Sequence, residues 1–191
     1  MQTEIVRVKI EFTQALLGSN PCPDKSTLGE SVAVFSRNEE GHCVLMDYTV
    51  RGFFKKHVTD MCGEEIFFAE DPKKMVQNAL FVRPRQILLR DKAGNPCTKT
   101  DRLTRPIRGT RMEGPRIIVA TCEALPPGTT AEFEVQLIGS SALTVETVCK
   151  CLDRGLNVGL GAWHDTGSYG CFKWEETAVT REWERRPAGV L

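Results

Sequence analysis

Polar and apolar positions along this chain follow two periods, and their order predicts a fold. Residues 5–12 set Val8, Ile10 and Phe12 against Arg7, Lys9 and Glu11, the alternation of a half-buried strand. Residues 13–30 read as a loop, because Gly18, Pro21, Pro23, Asp24 and Gly29 supply turn chemistry. Residues 31–35 and 43–46 read as two short strands with a hairpin turn at 39–41 between them. In residues 50–61 the period changes. Val50, Phe53, Phe54, His57, Val58 and Met61 fall on one helical face, with Arg51, Lys55, Lys56 and Asp60 on the polar side. Asp47 or Thr49 is the expected cap and Gly63 the expected stop. A short second helix is expected over 71–80, with Pro72 in its first turn.

The second half repeats the scheme. Residues 81–89 and 116–122 read as strands, and residues 130–138 alternate most cleanly, with Ala131, Phe133, Val135 and Leu137 inward. A helix follows over 140–156, with Val145, Val148, Cys149 and Leu152 as its apolar face and Gly155 as its C-cap. The last strand is expected over 169–174, and the charged tail after Arg181 is expected to fray. Strand, helix, strand, strand, helix, strand is the order of a ferredoxin-like α+β fold, an antiparallel sheet with helices on one face. One domain over residues 1–180 is expected, with a tail at 181–191 and an insertion at about 90–115. Gly94, Pro96, Pro106, Gly109, Gly114 and Pro115 punctuate that insertion, which predicts an extended, mobile loop.

Charge makes the insertion interesting. The 191 residues carry no net charge, yet residues 81–116 hold ten Lys/Arg against three Asp/Glu. Arg102, Arg105, Arg108 and Arg111 recur every third residue within it. Such a basic block is the footprint expected for phosphate contact. No apolar run is long enough to cross a membrane as a helix, and the alternating start lacks the layout of a signal peptide, so a cytoplasmic location is expected. Eight cysteines then read as free thiols, several of them small core residues. The one close pair, Cys149 and Cys151, has the wrong spacing for a structural zinc site. Neither a metal nor another cofactor is expected.

Between the last helix and the last strand lie five glycines in 16 residues, from Gly155 to Gly170. Glycine lets another backbone approach closely, and successive N–H groups can cradle an anion. Trp163 and Tyr169 offer flat stacking surfaces, and His164 and Ser168 add hydrogen-bonding groups. The residues alone also fit a tight connection that carries a helix over a strand. The run from Gly159 to Phe172 resembles the C-terminal glycine-rich motif of the RAMP superfamily, the ferredoxin-like RNA-binding subunits of CRISPR effector complexes. Residues 47–56, with Gly52 near the helix start, and residues 125–135, turning into a core strand, are similar to that family in the same order.

The resemblance implies RNA binding in antiviral defence. The glycine-rich loop, first helix and inserted segment would line a groove along the RNA backbone, which is expected to be single-stranded. It points to Gly159, Gly161, Gly167 and Gly170 for close approach, to Arg51, Lys55 and Lys56 on the helix, and to the arginine-bearing insertion. Other RAMP-type subunits, or further copies of the chain, would be its protein partners. The family often has Arg or Lys where this chain has Cys171, so one phosphate-facing charge is missing unless Lys173 or His164 substitutes. Binding without catalysis is expected: G-x-S-x-G, H-E-x-x-H and P-loop patterns are absent, and His42 and His57 read as structural or surface residues. Two other readings stay open. One is a viral or mobile-element protein that self-assembles or inhibits a CRISPR complex. The other is a metal-dependent ribonuclease using Asp24.

Overall fold

A computed structural model describes residues 2–22, 30–64, 70–111, 114–139 and 143–183. In chain order its elements begin with β1 (Gln2–Phe12), β2 (Leu16–Leu17), β3 (Asn20–Pro21), β4 (Glu30–Val34), β5 (Ser36–Arg37) and β6 (Cys43–Met46). Helices α1 (Asp47–Gly63) and α2 (Pro72–Ala79) follow, then β7 (Leu80–Arg83), β8 (Gln86–Arg90), β9 (Asp101–Arg111), β10 (Gly114–Leu125) and β11 (Thr130–Ile138). The chain continues through α3 (Val145–Asp153), a 3₁₀ turn (Arg154–Leu156) and the single turn α4 (His164–Gly167) to β12 (Phe172–Trp183).

The main sheet runs β12-β1-β11-β8-β6-β5, with β7 also paired to β11. Its pairings are antiparallel throughout. Counting only the core strands, the order β12-β1-β11-β7 is that of the ferredoxin-like fold, with the fourth strand beside the first and the third between first and second. The expected α+β architecture is therefore present. Alternation explains the central pair: Val6, Val8, Ile10 and Phe12 of β1 and Ala131, Phe133, Val135 and Leu137 of β11 are all buried. Helix α1 covers them with the six residues its periodicity selects, Val50, Phe53, Phe54, His57, Val58 and Met61. Each large apolar side chain so buried contributes roughly 1.5–3 kcal/mol before conformational entropy is counted.

Several boundaries differ from expectation. The N-cap of α1 is Met46 without a side-chain hydrogen bond, and Asp47 sits inside the first turn. The hairpin partner of β6 is β5, whereas β4 joins a second sheet. The strand expected over 81–89 is two strands, divided at Pro84, whose missing N–H interrupts the ladder. The second helix of the core spans only Val145–Asp153, and its cap is Thr144 Oγ1, which accepts from the Thr147 N–H. The last strand starts at Phe172 and runs on through Trp183, so part of the tail expected to fray is strand, and residues 184–191 lie outside the described residues.

The largest difference is the insertion. Residues 101–111 do not form an irregular loop but strand β9, which runs antiparallel to β10 from Asp101↔Ala124 to Arg111↔Gly114. β9 pairs with β10 alone among the described strands, and an edge strand tolerates the missing N–H of Pro106. With β2, β4 and β3, this hairpin builds the second sheet, ordered β2-β10-β4-β3.

Candidate nucleic-acid interface

The glycine-rich loop folds back on itself. A side-chain carbon on Gly159 would strike the main chain at Tyr169–Cys171, and one on Gly170, at φ +67°, would strike Leu160 O. The two arms are joined by a hydrogen bond from Leu160 N to Gly170 O (3.0 Å). Gly161, at φ +87°, lies against Leu17 O of β2, and Gly170 N donates to Ala15 O (2.8 Å). At these three positions the close approach that glycine permits is used by this chain's own backbone. Gly167 is half-buried beside the Tyr169 ring, and Ser168 is exposed.

The two aromatics of the loop face the second sheet. Trp163 and Tyr169 meet edge-to-face, with ring centroids 6.1 Å apart. Both pack on a small second core of Leu17, Cys122 and Ala124, beside Leu103 of β9. The guanidinium of Arg105 lies over the Trp163 ring, 4.1 Å from its centroid. A cation–π contact this close contributes about 0.5–2 kcal/mol. Trp163 itself has φ +55°, unusual for a bulky residue and held here by packing on both sides. His164 Nδ1 donates to Gly161 O (2.7 Å), which places its ring proton on Nδ1. The expected stacking surfaces thus serve first to dock the basic hairpin on the glycine loop.

A three-residue spacing alternates faces on a strand. Positions 102 and 108 of β9 therefore alternate with positions 105 and 111, so a three-residue spacing does not place all four on one face of the strand. What fixes the hairpin to the main body is Glu123 of β10. Its carboxylate accepts from Phe35 N (2.8 Å), Arg37 Nη2 (3.0 Å) and Thr100 Oγ1 (3.0 Å). Its side chain is only 17% exposed, so removing it strands a partly buried cation and a backbone donor. Glu123→Ala is expected to cost about 2 kcal/mol. Amide hydrogen exchange should quicken in residues 101–125 while β1 and β11 stay protected.

On α1 the three basic residues part company. Arg51 turns toward α2, where it donates to Gln77 O and lies over the Phe81 ring at 5.2 Å. Lys56 lines a cleft of about 230 Å³ between α1 and the loop, shared with Tyr48, Gly52, Gly159, Gly161 and His164; Lys55 is not among its lining residues. The place of Tyr48 is not legible in the sequence, because nothing in its local pattern shows that the fold leaves it exposed.

The outer face of the sheet is charged instead of aromatic. Among the described residues, the outward positions of the two central strands include Arg7, Lys9 and Glu11 on β1 and Glu132 and Glu134 on β11. Ion pairs tie them across strands: Arg7 to Glu134 (2.8 Å), Lys9 to Glu175 (3.3 Å) and Glu11 to Lys173 (3.1 Å). Those positions carry no ring on which a base could stack as it does on RRM-type sheets, and Phe81, opposite Gln136 on β7, lies under the Arg51 guanidinium.

Position 171 is 3% exposed, so the cysteine there vacates no surface site. Lys173 pairs with Glu11 on the sheet face, and of the two candidate substitutes only His164 borders the cleft. Burial pushes Cys171 up as well as Cys43, Cys122 and Cys149, and drives Cys97 to about 11 and Cys151 to about 12. Cys43, Cys97, Cys122, Cys151 and Cys171 are small buried residues and Cys149 is half-buried, so Cys151 and not Cys149 is the cysteine that α3 turns to the core; all six thiols are protonated at neutral pH. Among the described residues no three His, Cys, Asp or Glu side chains are gathered so as to hold a metal ion. Asp24 lies outside the described residues, His57 is buried in the core, and His42 pairs with Glu40 (3.0 Å) beside the β5–β6 turn. No helix among the described residues is long and apolar enough to cross a membrane.

Fold and site together define a ferredoxin-like α+β protein with a second sheet docked on its glycine-rich loop. No protein-family profile matches the chain, and no curated protein matches its sequence. Its fold is shared with a chain in the cryo-EM structure of the type III-B Cmr-beta complex bound to cognate target RNA, at TM-score 0.54 and 18% identity. The match covers 94% of this chain and 61% of that one, so the protein spans under two thirds of its neighbour's length.

Proposed function

We propose that this chain binds single-stranded RNA without cleaving it, as a RAMP-type subunit of a CRISPR effector complex or a relative of one. The observation that carries this reading is the Arg105–Trp163 contact. It joins the most basic segment of the chain to the glycine-rich loop, directly beside the α1 cleft that holds Lys56 and His164. In this reading three stretches far apart in sequence form one surface with cations, the exposed Ser168 and a groove. Such contacts hold a backbone in place and carry no sequence information of themselves. Other subunits of the same type, or further copies of this chain, are the protein partners in this reading. The fold shared with a chain of an RNA-bound Cmr-beta complex supports it.

Filter binding of a labelled single-stranded RNA at 50 and 200 mM salt tests the proposal. Binding at the lower concentration that weakens steeply at the higher one is the expected result, and no binding at 50 mM would reject it.

A further inference from the structure

The first turn of α1 carries an aromatic ring that core packing does not explain. Tyr48 is 54% exposed, the one aromatic among the large apolar side chains found exposed in the described residues. Its hydroxyl donates to Asn20 Oδ1 (3.2 Å), and the Asn20 amide donates in turn to Ser36 Oγ. The ring is thus fixed by its polar tip and left half bare at the cleft.

One turn further along the helix is Gly52. Glycine weakens a helix interior relative to alanine. Here a side-chain carbon would meet nothing within 4 Å, and the residue has no positive φ. Neither close packing nor backbone geometry asks for glycine at this position. Another turn on is Lys56. Positions 48, 52 and 56 form one i, i+4 ridge, roughly 12 Å long at 1.5 Å per residue. All three border the cleft whose opposite wall is Gly159–Gly161.

We infer that this ridge is a nucleotide slot for single-stranded RNA: a base stacks on Tyr48, the sugar–phosphate chain crosses α1 over Gly52, and a phosphate meets Lys56. A ring at one end, an ammonium at the other and a gap between them match the alternating demands of base and phosphate. The slot rests on the RNA-binding reading above and gives it a stacking residue, which Trp163 and Tyr169, packed against the second sheet, do not provide.

Fluorescence anisotropy with two RNAs of equal length, one base-bearing and one abasic, tests the slot in three proteins. The wild type should prefer the base-bearing RNA roughly tenfold. Tyr48→Ala should abolish that preference. Gly52→Leu should bind both RNAs at least roughly fivefold more weakly, because its side chain fills the crossing point, while its melting temperature holds or rises by ~2–4 °C. A wild type that binds neither RNA would overturn the RNA reading itself. A wild type that binds both, with Tyr48→Ala and Gly52→Leu indistinguishable from it, would overturn the slot alone.

Discussion

Gly170→Ala is expected to destabilise the protein by about 3 kcal/mol or more, the largest effect of any glycine substitution in the loop. Two costs add. At φ +67° an L side chain is strained, and the new carbon would drive into Leu160 O, which belongs to main chain that cannot swing aside. The hydrogen bond from Leu160 N to Gly170 O would be pushed apart, and with it the crossing that holds the loop on β2. For a chain of this size, about 3 kcal/mol lowers the melting temperature by roughly 6–12 °C. Thermal or urea unfolding measures it directly. The same substitution at Gly52 has the opposite expected sign, so the pair separates glycines the fold requires from one it does not.

Salt should move RNA affinity by the next largest factor. If about four phosphates are neutralised, single-strand counterion release gives a slope near −2.8 in log K against log salt, or ~50-fold weaker binding from 50 to 200 mM. Arg105→Ala should lower that slope by roughly 0.7 if its guanidinium also reaches a phosphate. It should also loosen the hairpin by removing the stack on Trp163. A flat salt profile would mean that the basic insertion does not meet RNA.

Much of the architecture was legible because periodicity and burial coincide. The six apolar positions of α1 and the alternation of β11 are buried as the pattern dictates. The insertion is not legible as a strand, because Pro106 and Gly109 look like breakers unless β10 lies alongside. Pairing between Arg108 and Ile117 is a tertiary fact that local propensity does not contain. The glycine loop was half legible. Its sequence announces that some backbone comes close, but not that the visitor at Gly159, Gly161 and Gly170 is this chain's own main chain. Glu123 was invisible for a similar reason: the Arg37 and Phe35 groups it binds are more than 80 residues away.

In the proposed function, RNA lies between α1, the glycine loop and the β9–β10 hairpin. Ultraviolet crosslinking of the full chain to single-stranded RNA, followed by peptide mapping, tests that most directly. Crosslinks should concentrate at Tyr48–Lys56, at residues 163–168 and along residues 101–111. Crosslinks confined to the charged sheet face around Arg7, Lys9 and Lys173 would contradict it.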